Sequence, residues 1–344
     1  MIDDDVRNGV VAALRAHDRS YVVLCDANPH VATIARSIAR RAGGALAVIP
    51  VRLGEGRKRL KSVEGVLESL AAAGAERSTI VVGVGGGVAA DLFGFCAATY
   101  MRGVAYLHVA TSLVAMADAA IGGKTGVDLR AGKNLVGVFR DPIGVFAHVR
   151  ALRTLPFRCL REGLAEIVKA AIIEGGDFFT SIEILAPHPF VQWPWPEVVA
   201  AAVNVKSAIV ADDREEAGMR ELLNLGHTFA HAFERASDYR ITHGAGVALG
   251  LRAAGLLALR LHVFSREEHL RVLALLALLQ MPLRTGLNPE AVLRAMGSDK
   301  KRRGGHLRFV LPRAIGDVEY GVDAPRSAVL SVLRRMQQVP ASPG

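Results

Sequence analysis

The 344-residue chain is 51% hydrophobic and 22% charged, which excludes a disordered polypeptide and gives room for two domains with cores of their own. Its net charge of +9 comes largely from arginines scattered over helical stretches, and aromatics are only 6%, too few for base-stacking platforms. Three separated cysteines without CxxC spacing, an acidic N-terminus with no apolar leader and no apolar run of spanning length predict a soluble, cytoplasmic protein with reduced thiols.

Residues 21–25 are a short apolar run ending in Asp26-Ala-Asn28-Pro29, a strand entering a turn. An amphipathic helix follows at 34–42, a second strand at 45–50 and a helix at 62–73. A third strand at 79–83 runs into Gly85, Gly86 and Gly87 and then an alanine-rich helix, and residues 106–110 form another strand. This alternation predicts a mainly parallel sheet covered by helices on both faces. Ligands in such sheets bind at the carboxyl ends of the strands, where Asp26, the three glycines, Thr111 and Ser112 fall. Beyond Leu155-Pro156 the spacing turns helical, at 160–173, 198–210, 227–236, 245–261 and 267–279, with one strand-like run at 306–311 and a Pro-rich loop at 187–196. The expected organisation is an α/β domain over 1–155, then a helical domain over 156–344, with the site in the cleft between them.

The segment from Gly85 to Asn134 is dense in glycine, lysine and hydrogen-bonding side chains. Glycines let backbone approach a ligand, and lysines beside them meet phosphate or carboxylate oxygens. Gly83-Val-Gly85-Gly86-Gly87 lacks the last glycine of GxGxxG and is weak by itself. A strand before it and a helix after it make it a phosphate site at a helix N-terminus; the plainer reading is a tight turn without a ligand. Asp91, one turn into an apolar helix, is hard to assign to the surface. Glu166 and Lys169 share a helical face among apolar neighbours, so a surface ion pair does not account for them. His227 and His231, four apart, are the natural metal-ligand pair by spacing; with His243 and Glu166 the set suits a divalent cation, zinc by ligand type.

Taken in order, these segments resemble the 3-dehydroquinate synthase family of sugar-phosphate cyclases. The likeness runs through Gly54-Glu55-x-x-Lys58, Gly85-Gly-Gly-x-x-x-Asp91, Met101-Arg102-Gly, Asp118-x-x-x-Gly-Gly-Lys124-Thr-Gly and Gly132-Lys133-Asn134. It continues through Thr154-Leu-Pro, Glu166-x-x-Lys169, Lys206, Arg220-x-x-x-Asn224-Leu-Gly-His227-Thr-x-x-His231, His243-Gly and Asp299-Lys300-Lys301. The resemblance implies a dehydroquinate-synthase-like fold, with a Rossmann-like NAD-binding domain and an all-α metal- and substrate-binding domain. It implies conversion of the sugar-acid phosphate 3-deoxy-arabino-heptulosonate 7-phosphate to 3-dehydroquinate, in aromatic amino acid biosynthesis. The steps are transient oxidation by NAD, β-elimination of phosphate, reduction, ring opening and internal aldol closure.

On this likeness Zn2+ or Co2+ is held by Glu166, His227 and His243, which displaces the spacing-based pair. His231, Lys124, Asn134 and Arg102 serve the phosphate, Arg102 from the neighbouring subunit of a homodimer. Lys169, Lys206, Arg220, Asn224 and one of Lys300 and Lys301 hold the carboxylate and hydroxyls, while Asp118 meets both cofactor and ring. NAD is held by Asp26, Asn28, Glu55, Lys58, Gly85, Gly86, Gly87, Asp91, Thr111, Ser112, Lys124, Lys133 and Thr154. Neither a nucleic acid nor a membrane is an expected partner.

Two departures stand beside the site. The family's His-Gly-Glu is His243-Gly244-Ala245 here, removing a carboxylate next to a ligand, and Phe139-Arg140-Asp141-Pro142 also differs. Rival readings are a cyclase of another sugar phosphate, an amino-dehydroquinate synthase, a metal-dependent alcohol dehydrogenase, and a basic nucleic-acid-binding or regulatory protein that kept the fold. Arg220, suited to a substrate carboxylate, and the lysines 124, 169 and 206 count against most of these.

Overall fold

Short apolar runs and amphipathic helices alternate from the first residues, and the computed structural model describes residues 1–298 and 307–339. Strand β1 (Ile2–Asp3) leads to α1 (Arg7–His17), β2 (Tyr21–Asp26), α2 (Pro29–Ala42), β3 (Ala45–Val51), α3 (Leu60–Ala72), β4 (Ile80–Gly85), α4 (Gly87–Thr99) and β5 (Tyr106–Ala110). An antiparallel hairpin, β6 (Lys124–Leu129) and β7 (Gly132–Phe139), precedes β8 (Gly144–His148). Six strands form one parallel sheet in the order β1-β8-β5-β4-β2-β3.

The period-2 alternation of strands divides the core into two layers. Val22 and Leu24 of β2 and Val81 of β4 pack with Val63, Val66 and Leu70 of α3 and Leu92 and Phe93 of α4. Tyr21, Val23 and Cys25, with Ile80, Val82 and Val84, face Val10 and Leu14 of α1 and Ala35 and Ile38 of α2. Both faces are therefore covered, which is why these strands read as continuous apolar runs.

The remaining elements are α5 (Phe157–Glu174), α6 (Gly176–Leu185), α7 (Trp195–Asp212), α8 (His227–Ala236), α9 (His243–Arg260), α10 (Arg266–Leu278), α11 (Pro289–Ser298), β9 (Arg308–Ala314), β10 (Asp317–Asp323) and α12 (Arg326–Arg335). Helix α9 is buried almost all round, packed by α8, α10, α12 and β9. It can approach α8 closely because Gly250 has no side chain: a Cβ there would lie 2.1 Å from the Gly226 carbonyl oxygen. The strand-like run near 306–311 is one arm of an antiparallel hairpin, β9–β10, so this region carries a small sheet besides its helices. The Pro-rich loop ends sooner than expected, because α7 already begins at Trp195.

The chain divides into two compact units, Met1–Leu160 with Pro194–Val203, and Arg161–Trp193 with Asn204–Gly344. Among the described residues no helix is long and apolar enough to cross a membrane.

Candidate active site

In the sheet, β2 has β3 on one side and β4 on the other, so the chain reverses its direction of winding between β2 and β4. Ligand crevices form at the carboxyl ends of such neighbours. Asp26 ends β2 and Gly85 ends β4 there. A Cβ on Gly85 would stand 2.4 Å from the Ala89 Cβ, and one on Gly86 would stand 2.9 Å from the Ser112 hydroxyl oxygen. Glycine thus lets the first turn of α4 close on the strand end, with Gly86 as its N-cap residue. The Thr111 N–H donates to the Gly85 carbonyl at 2.9 Å. Asp26 accepts from the Asn28 N–H at 3.0 Å, and Asn28 in turn caps α2 by accepting from the His30 N–H at 3.0 Å. The Thr154 hydroxyl donates to the Ala151 carbonyl at 2.8 Å.

Beside α4 the structure gathers five of the sequence-predicted residues into a polar network. Lys58, only 4% exposed, pairs with Asp91 and donates to the Asn134 side-chain oxygen. Burial raises the Asp91 carboxyl while the Lys58 ammonium pulls it down. Asn134 adopts φ 53° and its N–H donates to Asp128 at 2.8 Å, so this loop position is pinned from both ends. Lys133 reaches Glu55 at 3.0 Å. Asp118 lies in a π-turn, Ala115–Ala119, a local irregularity often found at functional positions. Lys124 is an exposed residue opening β6, and Arg102 is exposed at φ 65° after α4.

In the second unit three helices converge on Glu166. From α5, Glu166 and Lys169 project one turn apart and meet at 2.6 Å, both nearly fully buried. The His227 Nε2 of α8 lies 3.6 Å, and the His243 Nε2 of α9 3.1 Å, from the same Glu166 oxygen. One ligand atom from each residue lies within 4.8 Å of the others. The far ring nitrogens are occupied: His227 Nδ1 is 3.2 Å from the Leu225 carbonyl, and His243 Nδ1 is 2.9 Å from Glu234. Acceptors at both Nδ1 positions leave both Nε2 atoms turned toward Glu166, where each would offer its lone pair to a bound metal in place of the proton it now directs at the carboxylate. One carboxylate and two imidazoles form a donor set that fits Zn2+ or Co2+ with positions left open. His231, one turn after His227, contacts that ring edge-on at 5.5 Å but is not among the three converging residues. The pair suggested by spacing alone is therefore not the pair that converges.

Burial opposes ionisation of Glu166, but Lys169, His227 and His243 outweigh it and hold the carboxylate well below the usual range. Burial likewise opposes protonation of His243, yet its hydrogen bonds to Glu166 and Glu234 raise the imidazole to about 10.

Lys206 is buried on α7, and Arg220 is 1% exposed in the turn Met219–Asn224. Asp213 builds that turn by accepting the N–H groups of Ala217, Gly218 and Arg220 at 2.9, 2.7 and 3.0 Å, which lower its pKa. The Arg220 guanidinium donates to the Arg214 carbonyl, and Asn224 donates to Glu216 at 2.9 Å. Lys300 and Lys301 lie outside the described residues.

Four acids that support the site, Glu162, Asp213, Glu216 and Glu234, were not singled out by spacing. Glu234 had a signal: it stands among Phe229, Ala230 and Phe233 on the buried face of α8. Glu162 had none, because its partners, the Thr242 hydroxyl at 2.5 Å and the Gly244 N–H at 2.6 Å, are about eighty residues away.

Residues 48–162 match the 3-dehydroquinate synthase N-terminal family model and residues 163–302 the C-terminal model. A 3-dehydroquinate synthase of Gloeobacter violaceus is 42% identical over 309 residues, 88% of this chain and 84% of its own. One of Halorhodospira halophila is 41% identical over 332 residues, 94% of this chain and 92% of its own. Among solved structures, 2-epi-5-epi-valiolone synthase from Streptomyces hygroscopicus subsp. jinggangensis, with NAD+ and Zn2+ bound, superposes with a TM-score of 0.88. It is 26% identical and covers 98% of this chain and 95% of its own. A 2-deoxy-scyllo-inosose synthase complexed with carbaglucose-6-phosphate, NAD+ and Co2+ has a TM-score of 0.84 at 25% identity, covering 97% and 96%. With both halves matched and relatives above 40% identity over most of the chain, this protein belongs to the 3-dehydroquinate synthase family.

Proposed function

We propose that this enzyme is an NAD- and metal-dependent carbon–oxygen lyase that converts 3-deoxy-arabino-heptulosonate 7-phosphate to 3-dehydroquinate and phosphate. The observation that carries the reading is the convergence of Glu166, His227 and His243 with both imidazole Nδ1 atoms already engaged. When bound, NAD supplies reversible oxidation of a ring carbinol, and Zn2+ or Co2+ supplies a Lewis acid at that oxygen.

The chain's own groups do the holding and the charge work. Lys169, beside Glu166, puts a cation at the reacting hydroxyl and lowers its pKa. Arg220 and Lys206, both buried, take the substrate carboxylate, the guanidinium by its two-pronged fork. Asn224, held by Glu216, orients a hydroxyl. One of Lys300 and Lys301 joins the carboxylate and hydroxyl cage, while His231, Lys124 and Asn134 grip the phosphate, with Arg102 reaching in from the second copy of a cytoplasmic homodimer. Asp118 would contact both cofactor and ring. NAD would be held at the strand ends by Asp26, Asn28, Thr111, Ser112 and the Gly85, Gly86, Gly87 turn, together with Glu55, Lys58, Asp91, Lys124, Lys133 and Thr154. Arg220 favours an acidic substrate over the carboxylate-free sugar phosphates of related cyclases.

The test is incubation of the purified protein with NAD, Zn2+ or Co2+ and the heptulosonate phosphate, following phosphate and dehydroquinate together. One phosphate per dehydroquinate with no net NADH is expected. Turnover of a sugar phosphate without a carboxylate, and none of the heptulosonate, would overturn the substrate assignment.

A further inference from the structure

The absence of an acid at position 245 leaves open what orients His243, and the structure supplies an answer from another helix. Glu234 of α8 has a side chain only 2% exposed, and its Oε1 lies 2.9 Å from His243 Nδ1. The opposite nitrogen of the same ring is 3.1 Å from Glu166. A Cβ on Gly246 would lie 3.4 Å from the Glu234 Cγ, so the acid is packed against the first turn of α9. Residue 245, two after His243, does not share its helical face. The N-terminus of α9 is itself clamped to α5 by Glu162, one turn before Glu166.

We propose that Glu234 is the positioning residue of the metal centre. Its carboxylate accepts the His243 Nδ1 proton, fixes the tautomer, aims Nε2 and makes the imidazole a stronger donor. With that nitrogen already taken, an acid at 245 has no ring proton to accept, and Ala245 costs the centre nothing. This rests on the metal reading of the triad given above.

The experiment titrates the metal-free full-length chain with Zn2+ against a chromogenic chelator, for wild type, E234A, E234Q and A245E. Losing such a partner weakens metal binding about 10- to 100-fold. E234A should show that loss, E234Q a smaller one because its amide oxygen still accepts, and A245E no change beyond about twofold. Visible spectra of the Co2+-loaded proteins should differ between E234Q and wild type, while thermal unfolding of their metal-free forms agrees; a merely structural role would give the reverse. If E234A does not fold, E234Q decides. Wild-type binding with unchanged E234A and E234Q affinity would overturn this inference alone, as would a marked tightening in A245E. A wild-type chain that takes up no Zn2+ would overturn the metal reading and this inference with it.

Discussion

At residue scale, Lys58 shows how a polar group is kept inside a core. Its ammonium is buried with Asp91 and Asn134 as partners, and burial already raises the Asp91 carboxyl. Removing one member of a buried pair strands the other, at about 3–5 kcal/mol, whereas removing both with apolar filling costs much less. Asp91→Ala should therefore lower the unfolding free energy in urea by about 3 kcal/mol, and Asp91→Ala with Lys58→Met should recover part of it. Equal stabilities for the single and double variants would mean the pair is not coupled.

At element scale, the metal ligands depend on a seam between α8 and α9. A Cβ at Gly250 would meet the Gly226 carbonyl oxygen at 2.1 Å, backbone that cannot yield unless the helices part. Helix α8 carries His227 and Glu234, and α9 carries His243. Gly250→Ala should cost about 1–3 kcal/mol in thermal or urea unfolding and weaken Zn2+ binding in the same variant. Stability lost without any change in affinity would show that the centre does not depend on the seam. The helices on either side of it were legible in the sequence because their apolar residues recur at helical spacing, and β2, β4 and β5 because they are short apolar runs. The β6–β7 hairpin was hidden. Gly126 reads as part of a ligand loop, although a Cβ there would stand 2.6 Å from the Val136 carbonyl oxygen, and one at Gly137 on the facing strand 2.3 Å from that of Thr125. Those glycines serve close strand approach. Strand β1, two residues long, is too short for any period, and Glu234 had no role legible in the sequence because its partner lies on the next helix.

For the whole molecule, acid stability has a source in each compact unit. His108 in β5 and His269 in α10 are buried, and burial lowers each from 6.5 to about 4. Below pH 6.5 the unfolded chain binds protons that the native chain refuses, so the stability is whole above that pH and is lost as pH falls toward 4. Each histidine can account for up to about 3 kcal/mol of this loss. His108→Leu or His269→Leu should flatten the fall in unfolding free energy between pH 6.5 and 4, and an unchanged slope would remove the histidines as its cause. The centre around Glu166 follows a different electrical logic. Lys169 lies against Glu166, and the His243 ring stands between Glu166 and Glu234, so both carboxylates already have partners before any cation arrives. An incoming divalent ion would take the place of the hydrogen bond between His243 Nε2 and Glu166. Loading is then an exchange at a preset socket, and the chain stripped of metal should still unfold cooperatively in urea, with Zn2+ shifting the midpoint upward.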